Sequence, residues 1–122
     1  MNVLLAEDDG NLGFILKNEL EEDGITVDLV QDGLQAVLRF IEQRGHYHFV
    51  LLDLRMPKIN GIATLKIISS IDPAVPVITL SGNAGSGEKA ESVRAGAIRC
   101  LSKPFDIAEL KNEIQAHSPA GV

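Results

Sequence analysis

A chain of 122 residues has the length of one compact domain, and with 45% hydrophobic and 23% charged residues it can bury a core, which excludes a disordered chain. The net charge of -6 argues against direct nucleic-acid binding by these residues, because neutralising phosphates takes clustered Lys and Arg. The single cysteine, Cys100, permits neither a disulfide framework nor a cysteine-based zinc site, and no apolar run approaches a membrane span.

Two kinds of segment alternate along the chain. "NVLLA" (2–6) is a short apolar run that ends in Glu7, Asp8 and Asp9. The early acids exclude a signal peptide, and with the lone cysteine they point to a reducing, cytoplasmic setting. "NLGFILKNELEED" follows, with Leu12, Ile15, Leu16 and Leu20 on one face at helical spacing, and Gly24 ends that helix. "TVDLV" (26–30) is β-branched and alternating, as strands are. A second helix is predicted over 33–44, closed by Gly45, and "HFVLLD" (48–53) reads as a fully apolar strand. The third helix, 61–71, stops at Asp72-Pro73. "PVITLS" (76–81) is the fourth strand, "SGNAGSG" (81–87) a glycine-rich loop, and 88–96 a short polar helix. "AIRCL" (97–101) is the fifth strand, and Asp106 caps a last helix that runs to His117.

Five βα units with uniformly apolar strands indicate a parallel sheet covered on both faces. Right-handed crossovers then favour a doubly wound α/β sandwich, (βα)5, with strand order 2-1-3-4-5. The expected domain covers 1–117, and "SPAGV" (118–122) reads as a tail or the start of a linker.

In such a fold the functional crevice lies at the carboxyl ends of the strands. Strand one delivers Glu7, Asp8 and Asp9 there, strand three delivers Asp53, strand four Ser81, and Lys103-Pro104 follow strand five. Carboxylates crowded at one rim repel unless they share a cation, and hard oxygen donors suit Mg²⁺. With Lys103 as a second positive charge and Ser81 as a hydroxyl donor, the set describes a phosphoryl site with Asp53 as carboxylate nucleophile. Taken singly, Asp53 would be a turn former, Ser81 a strand-end serine and Lys103 a solvated lysine; the coincidence of all of them carries the reading. Asp9 reads as a loop acid or helix cap, and His46, His48 and His117 as surface residues.

At this point "AEDD", "LLDLRMPKING", "ITLSG" and "LSKPF" together resemble the receiver domain of two-component response regulators, of the CheY-like superfamily, over nearly the whole chain. The resemblance implies that a sensor histidine kinase transfers a phosphoryl group from its phosphohistidine to Asp53. It implies Mg²⁺ held directly by Asp8, Asp53 and the backbone carbonyl of Arg55, with Glu7 acting largely through water. It also implies that Ser81 bonds the acyl phosphate in the active state, that Lys103 pairs with it, and that Lys103-Pro104 is a cis peptide. Such a domain is a phosphoacceptor that promotes its own phosphorylation and dephosphorylation. It signals to an effector domain or a downstream protein. Phe14, off the apolar stripe of the first helix, is either a partly covered aromatic or a contact for the kinase.

The chain departs from that family in places. Cys100 stands where a switch aromatic is usual, and a buried cysteine acts as a small hydrophobe. Arg99 and Glu113 occupy two positions of a known dimer face with reversed signs; they are taken as unrelated surface charges, and dimerisation is left open. Arg55 and Asn83 occupy the positions that set phosphate lifetime, and a long Arg55 favours a long-lived phosphate. The glycine-rich loop is expected to be mobile and to become ordered on phosphorylation. Two rivals compete with the receiver reading. A haloacid-dehalogenase-type phosphohydrolase needs a D-x-D on the first strand, whereas Asp53 lies on the third and is followed two residues on by Arg55. A flavodoxin-like interaction module would never be phosphorylated.

Overall fold

The computed structural model describes residues 1–82 and 87–117. Its elements in chain order are β1 (Asn2–Ala6), α1 (Gly10–Glu22), β2 (Thr26–Val30), α2 (Gly33–Glu42), β3 (Phe49–Asp53), α3 (Gly61–Ile71), β4 (Val77–Ser81), α4 (Glu88–Arg94), β5 (Arg99–Ser102) and α5 (Ile107–Ala116). All strand pairs are parallel, in the order β2-β1-β3-β4-β5. The expected sandwich is therefore present, with most element boundaries within two residues of the sequence reading.

Alternation along each strand divides the core into two layers. Val3, Leu5, Phe49, Leu51, Ile78 and Leu80 point to the side covered by α1 and α5, where Leu16, Leu20, Leu110 and Ile114 close on them. Leu4, Ala6, Val50, Leu52 and Val77 point to the other side, against Ala36 and Phe40 of α2 and Leu65 and Ile68 of α3. Every residue of β3 and β4 is buried, which explains why neither strand shows polar alternation. Each buried leucine of this kind contributes about 2–3 kcal/mol of apolar transfer.

Side chains that satisfy orphan N–H groups set the helix starts. Asp9 accepts from the Asn11 and Leu12 N–H groups, Asp32 from Gln35, Asn60 from Ala63 and Asp106 from Ala108. Asp9 is thus a cap. Helix α4 differs: Gly87 precedes it without a side-chain cap, and Ser92 is its only buried residue. No helix among the described residues is long and apolar enough to cross a membrane.

Two expectations need correction. Helical periodicity puts Ile15 on the buried stripe of α1, yet it is 50% exposed beside Phe14 at 60%. The inward face is Gly13, Leu16 and Leu20. Gly13 faces β2 so closely that a Cβ there would meet Leu29 Cδ1 at 3.0 Å, so a glycine holds a position that hydrophobic periodicity assigns to a larger residue. Arg99 and Glu113 are not unrelated charges either. Arg99 pairs within the chain with Glu113 and, at 3.0 Å, with Glu109. β5 and α5 present opposite charges on the same exposed surface, which satisfies both locally.

At the other end of β3 the chain approaches itself closely. A Cβ on Gly61 would lie 2.4 Å from Leu54 Cα and 2.5 Å from the Asp53 carbonyl oxygen. Asn60-Gly61 is therefore a helix cap followed by a gap-fitting glycine. Lys58, in the same loop, takes the left-handed conformation at φ 69° and pairs with Asp32 at 3.5 Å.

Candidate functional site

The sheet register brings the site together. Ala6 lies beside Leu52, so Glu7 leaves β1 next to Asp53, the last residue of β3. Asp53 lies beside Leu80, which puts Ser81 one step further along the rim. Ser81 lies beside Ser102, and the Lys103 N–H donates to the Ser81 carbonyl at 2.7 Å. Residues distant in sequence thus converge because four parallel strands end at one level.

The carboxylates of Glu7, Asp8 and Asp53 offer oxygens that all lie within 4.8 Å of one another. Glu7 and Asp53 are buried, while Asp8 is open to solvent. Lys103 bridges two of them, with Nζ 2.9 Å from Glu7 Oε1 and 3.3 Å from Asp53 Oδ2. Among the described residues Glu7 Oε1 has no directed hydrogen-bond partner, so its contact with Lys103 is ionic. The second Glu7 oxygen accepts from the Asp9 N–H at 3.2 Å, and Asp53 Oδ1 accepts from the Arg55 N–H at 3.2 Å.

One lysine against three acids leaves the cluster negative, and its protonation reflects that. Burial pushes the Asp53 carboxyl above the ordinary carboxylate range; the Glu7 contact and charge add to this, while Asp8 and the Arg55 N–H oppose it. The contact with Asp53, then burial and the Asp53 charge, raise Asp8 as well. Burial pulls the Lys103 ammonium down, but Glu7 and Asp53 outweigh it and the net shift is upward. Three clustered hard oxygen donors, with the proton affinity of Asp8 and Asp53 raised and one donor face open to water, fit a small divalent cation such as Mg²⁺.

The remaining candidates are distributed around this rim. Ser81 is 1% exposed, and its Oγ donates to Glu88 Oε1 at 2.5 Å. The Lys103-Pro104 peptide is cis, as expected. The Arg55 side chain is exposed. Phe14 is exposed on α1; an apolar cleft of about 380 Å³ is lined by Leu12 and Leu16 of the same helix with Lys103, Pro104, Phe105 and Ile107, and Gly82 at its edge. Cys100 is a buried free thiol on β5, beside a separate cleft of about 280 Å³ that Lys89 and Phe105 also line. His48 Nδ1 accepts from the Asn2 N–H at 2.9 Å, a structural role far from the acids. Asn83 and the rest of 83–86 lie outside the described residues, as do 118–122, and with them the expectations placed on the loop and the tail. Sequence reasoning missed Glu88. Its only signal was an acid opening a helix, which reads as ordinary dipole compensation.

A doubly wound parallel sheet with an acid cluster and a lysine at its carboxyl rim defines a class of phosphoryl-handling signalling domain. Residues 3–115 match the family described as the response regulator receiver domain, and the chain belongs to that family. It is 39% identical over 114 residues to the transcriptional regulatory protein CpxR homolog of Haemophilus influenzae, covering 93% of this chain and 48% of that protein. It is 33% identical to the transcriptional regulatory protein ZraR of Escherichia coli K12 over 115 residues, 94% of this chain and 26% of ZraR. The chain thus spans half or less of these relatives. Among solved structures it is similar to the receiver domain of the sensor histidine kinase PA1611 from Pseudomonas aeruginosa PAO1, which holds a magnesium ion in its active-site cleft. That match has TM-score 0.85 and 33% identity, covering 95% of each chain. It is also similar to a chain of the CheX–CheY–BeF3–Mg²⁺ complex from Borrelia burgdorferi, with TM-score 0.89 and 26% identity, covering 95% of this chain and 87% of that one. Receiver domains are phosphoacceptor signalling modules that bind Mg²⁺ at an acidic pocket and work with histidine kinases and effectors.

Proposed function

We propose that Asp53 is the phosphoacceptor of this receiver domain. The observation that carries this is the position of its carboxylate at the end of β3, inside the Glu7/Asp8 cluster and 3.3 Å from the Lys103 ammonium. An Asp53 oxygen attacks the phosphorus of a phosphohistidine on a sensor histidine kinase, the P–N bond breaks, and the imidazole leaves with those electrons. Asp8, Asp53 and the Arg55 carbonyl would hold Mg²⁺, with Glu7 acting largely through water, and the ion would supply positive charge against the transferring group. Lys103 stabilises the phosphoryl oxygens from the β5 side, and Ser81 donates to one of them in the active state. By supplying these groups, the domain promotes its own phosphorylation and hydrolysis.

The kinase docks on α1, where Phe14 is exposed and where Leu12 and Leu16 line an apolar cleft with Lys103 and Pro104. The signal passes to an effector domain or a downstream protein, in a cytoplasmic setting, with residues 1–117 as the receiver unit. The side chain of Arg55 crowds the attacking water, so the phosphate outlasts seconds; a half-life of seconds would refute that part. Incubation with acetyl phosphate and Mg²⁺ tests the whole reading. Covalent label that disappears in Asp53→Asn is the expected result. Repeated turnover of a phosphate ester would instead indicate a hydrolase, and no reaction of either kind an interaction module.

A further inference from the structure

A hydroxyl has one proton to donate. In this structure Ser81 gives it to Glu88, the first residue of α4. The serine is 1% exposed, so water does not compete freely for that proton. The proposed function requires the same proton for a phosphoryl oxygen on Asp53. The two acceptors are both anionic, and only one can be served. Without the shared proton, Glu88 and the phosphoryl group would face each other as like charges.

The rest of α4 shows what would move. A buried pair of hydroxyls, Thr79 and Ser92, pins the middle of the helix to β4. Its first residue is tied to the same strand by the Ser81–Glu88 bond, and no side-chain cap holds it otherwise. A released Glu88 has a destination. It lines a cleft of about 450 Å³ together with Glu91 of the same helix, Lys66 of α3, and Leu54 and Asn60. Lys66 is exposed there.

We infer that Glu88 is a competing acceptor that holds the Ser81 hydroxyl away from the phosphoryl site and, when displaced by the phosphoryl group, turns toward Lys66 and shifts the start of α4. This rests on the reading of Asp53 as phosphoacceptor. Glu88 is a positioning residue, because it acts only through Ser81.

The test is the affinity of the full chain for beryllofluoride in the presence of Mg²⁺, with thermal melts confirming that each variant folds. Glu88→Ala should bind about three- to tenfold tighter than the unaltered protein, the range for one net hydrogen bond. Glu88→Gln keeps a weaker neutral acceptor and should fall between. In a Ser81→Ala background, removing Glu88 should change affinity by less than about twofold. Lys66→Ala should weaken binding by up to about threefold, and only when Glu88 is present. A full gain from Glu88→Ala without the Ser81 hydroxyl would make Glu88 a mere repulsive charge and overturn the inference. No gain in a protein that binds beryllofluoride normally would also overturn it, while leaving the phosphoacceptor reading intact. If the unaltered protein bound no beryllofluoride at all, both would fall.

Discussion

The rim formed by β1, β3 and β5 and the surface formed by α4, β5 and α5 share a strand but are built on opposite principles. At the rim, Glu7, Asp53 and Lys103 are largely buried and lie within a few ångströms of one another, so Glu7 raises the proton affinity of Asp53, and both acids raise that of Lys103. On the other surface, charges pair in the open, as Arg99 does with Glu109 and Glu113, and α4 buries only Ser92. Buried charges interact strongly because water does not screen them, whereas exposed pairs contribute about 0–1 kcal/mol. The difference teaches a division of labour. On the proposed function, chemistry falls where the field is strong, and response where few contacts must be broken.

That contrast can be broken in graded ways. The largest effect is expected at the rim, where Asp8→Asn should weaken Mg²⁺ binding on the order of 100-fold, measurable by titration calorimetry. A change below threefold would mean that Asp8 is no ligand. Mg²⁺ at about 100 times its dissociation constant should in turn stabilise the fold by about 2.7 kcal/mol, read as a rise in melting temperature.

The pH dependence of the metal-free protein has a definite sign. Asp8 and Asp53 hold their protons to higher pH in the folded chain than in the unfolded one. Between the ordinary carboxylate range and those raised values the folded state carries more protons, so this part of the stability is lost as pH rises through the window. Saturating Mg²⁺ should flatten that loss. Asp53→Asn should raise the metal-free stability at neutral pH by about 1 kcal/mol, since it removes a charge that its surroundings disfavour. A fall in melting temperature would show that the Lys103 pairing dominates instead.

Smaller effects are expected on the surface formed by α4, β5 and α5. Cys100→Tyr should cost less than about 1.5 kcal/mol in denaturant melts, because the adjoining cleft of about 280 Å³ offers the ring room. A larger loss would mean that β5 is packed as tightly as β3. Smallest of all, Arg99→Ala should change stability by about 0.5 kcal/mol or less.

Much of this organisation is legible in the sequence. Uniformly apolar strands separated by helices implied the sheet order, and the order implied which loops meet. The acids after Ala6 and Leu52 were therefore placed together by topology alone. Periodicity failed at α1, where Gly13 occupies an inward position that no hydrophobicity count assigns to it. Pairings set by side-chain reach were also hidden. Nothing in the spacing of Ser81 and Glu88, or of Arg99 and Glu113, distinguishes a bonded pair from two independent surface groups.

Gly61 reverses an ordinary rule of substitution. Alanine in a first helical turn normally improves a helix, by up to about 1 kcal/mol over glycine. At position 61 the added methyl would be driven into Leu54 and into the carbonyl of Asp53 itself. A change that every propensity scale favours would therefore deform the proposed acceptor from behind, without altering a single ligand. A survey of tolerated substitutions should then find this silent position as restrictive as the charged ones it supports.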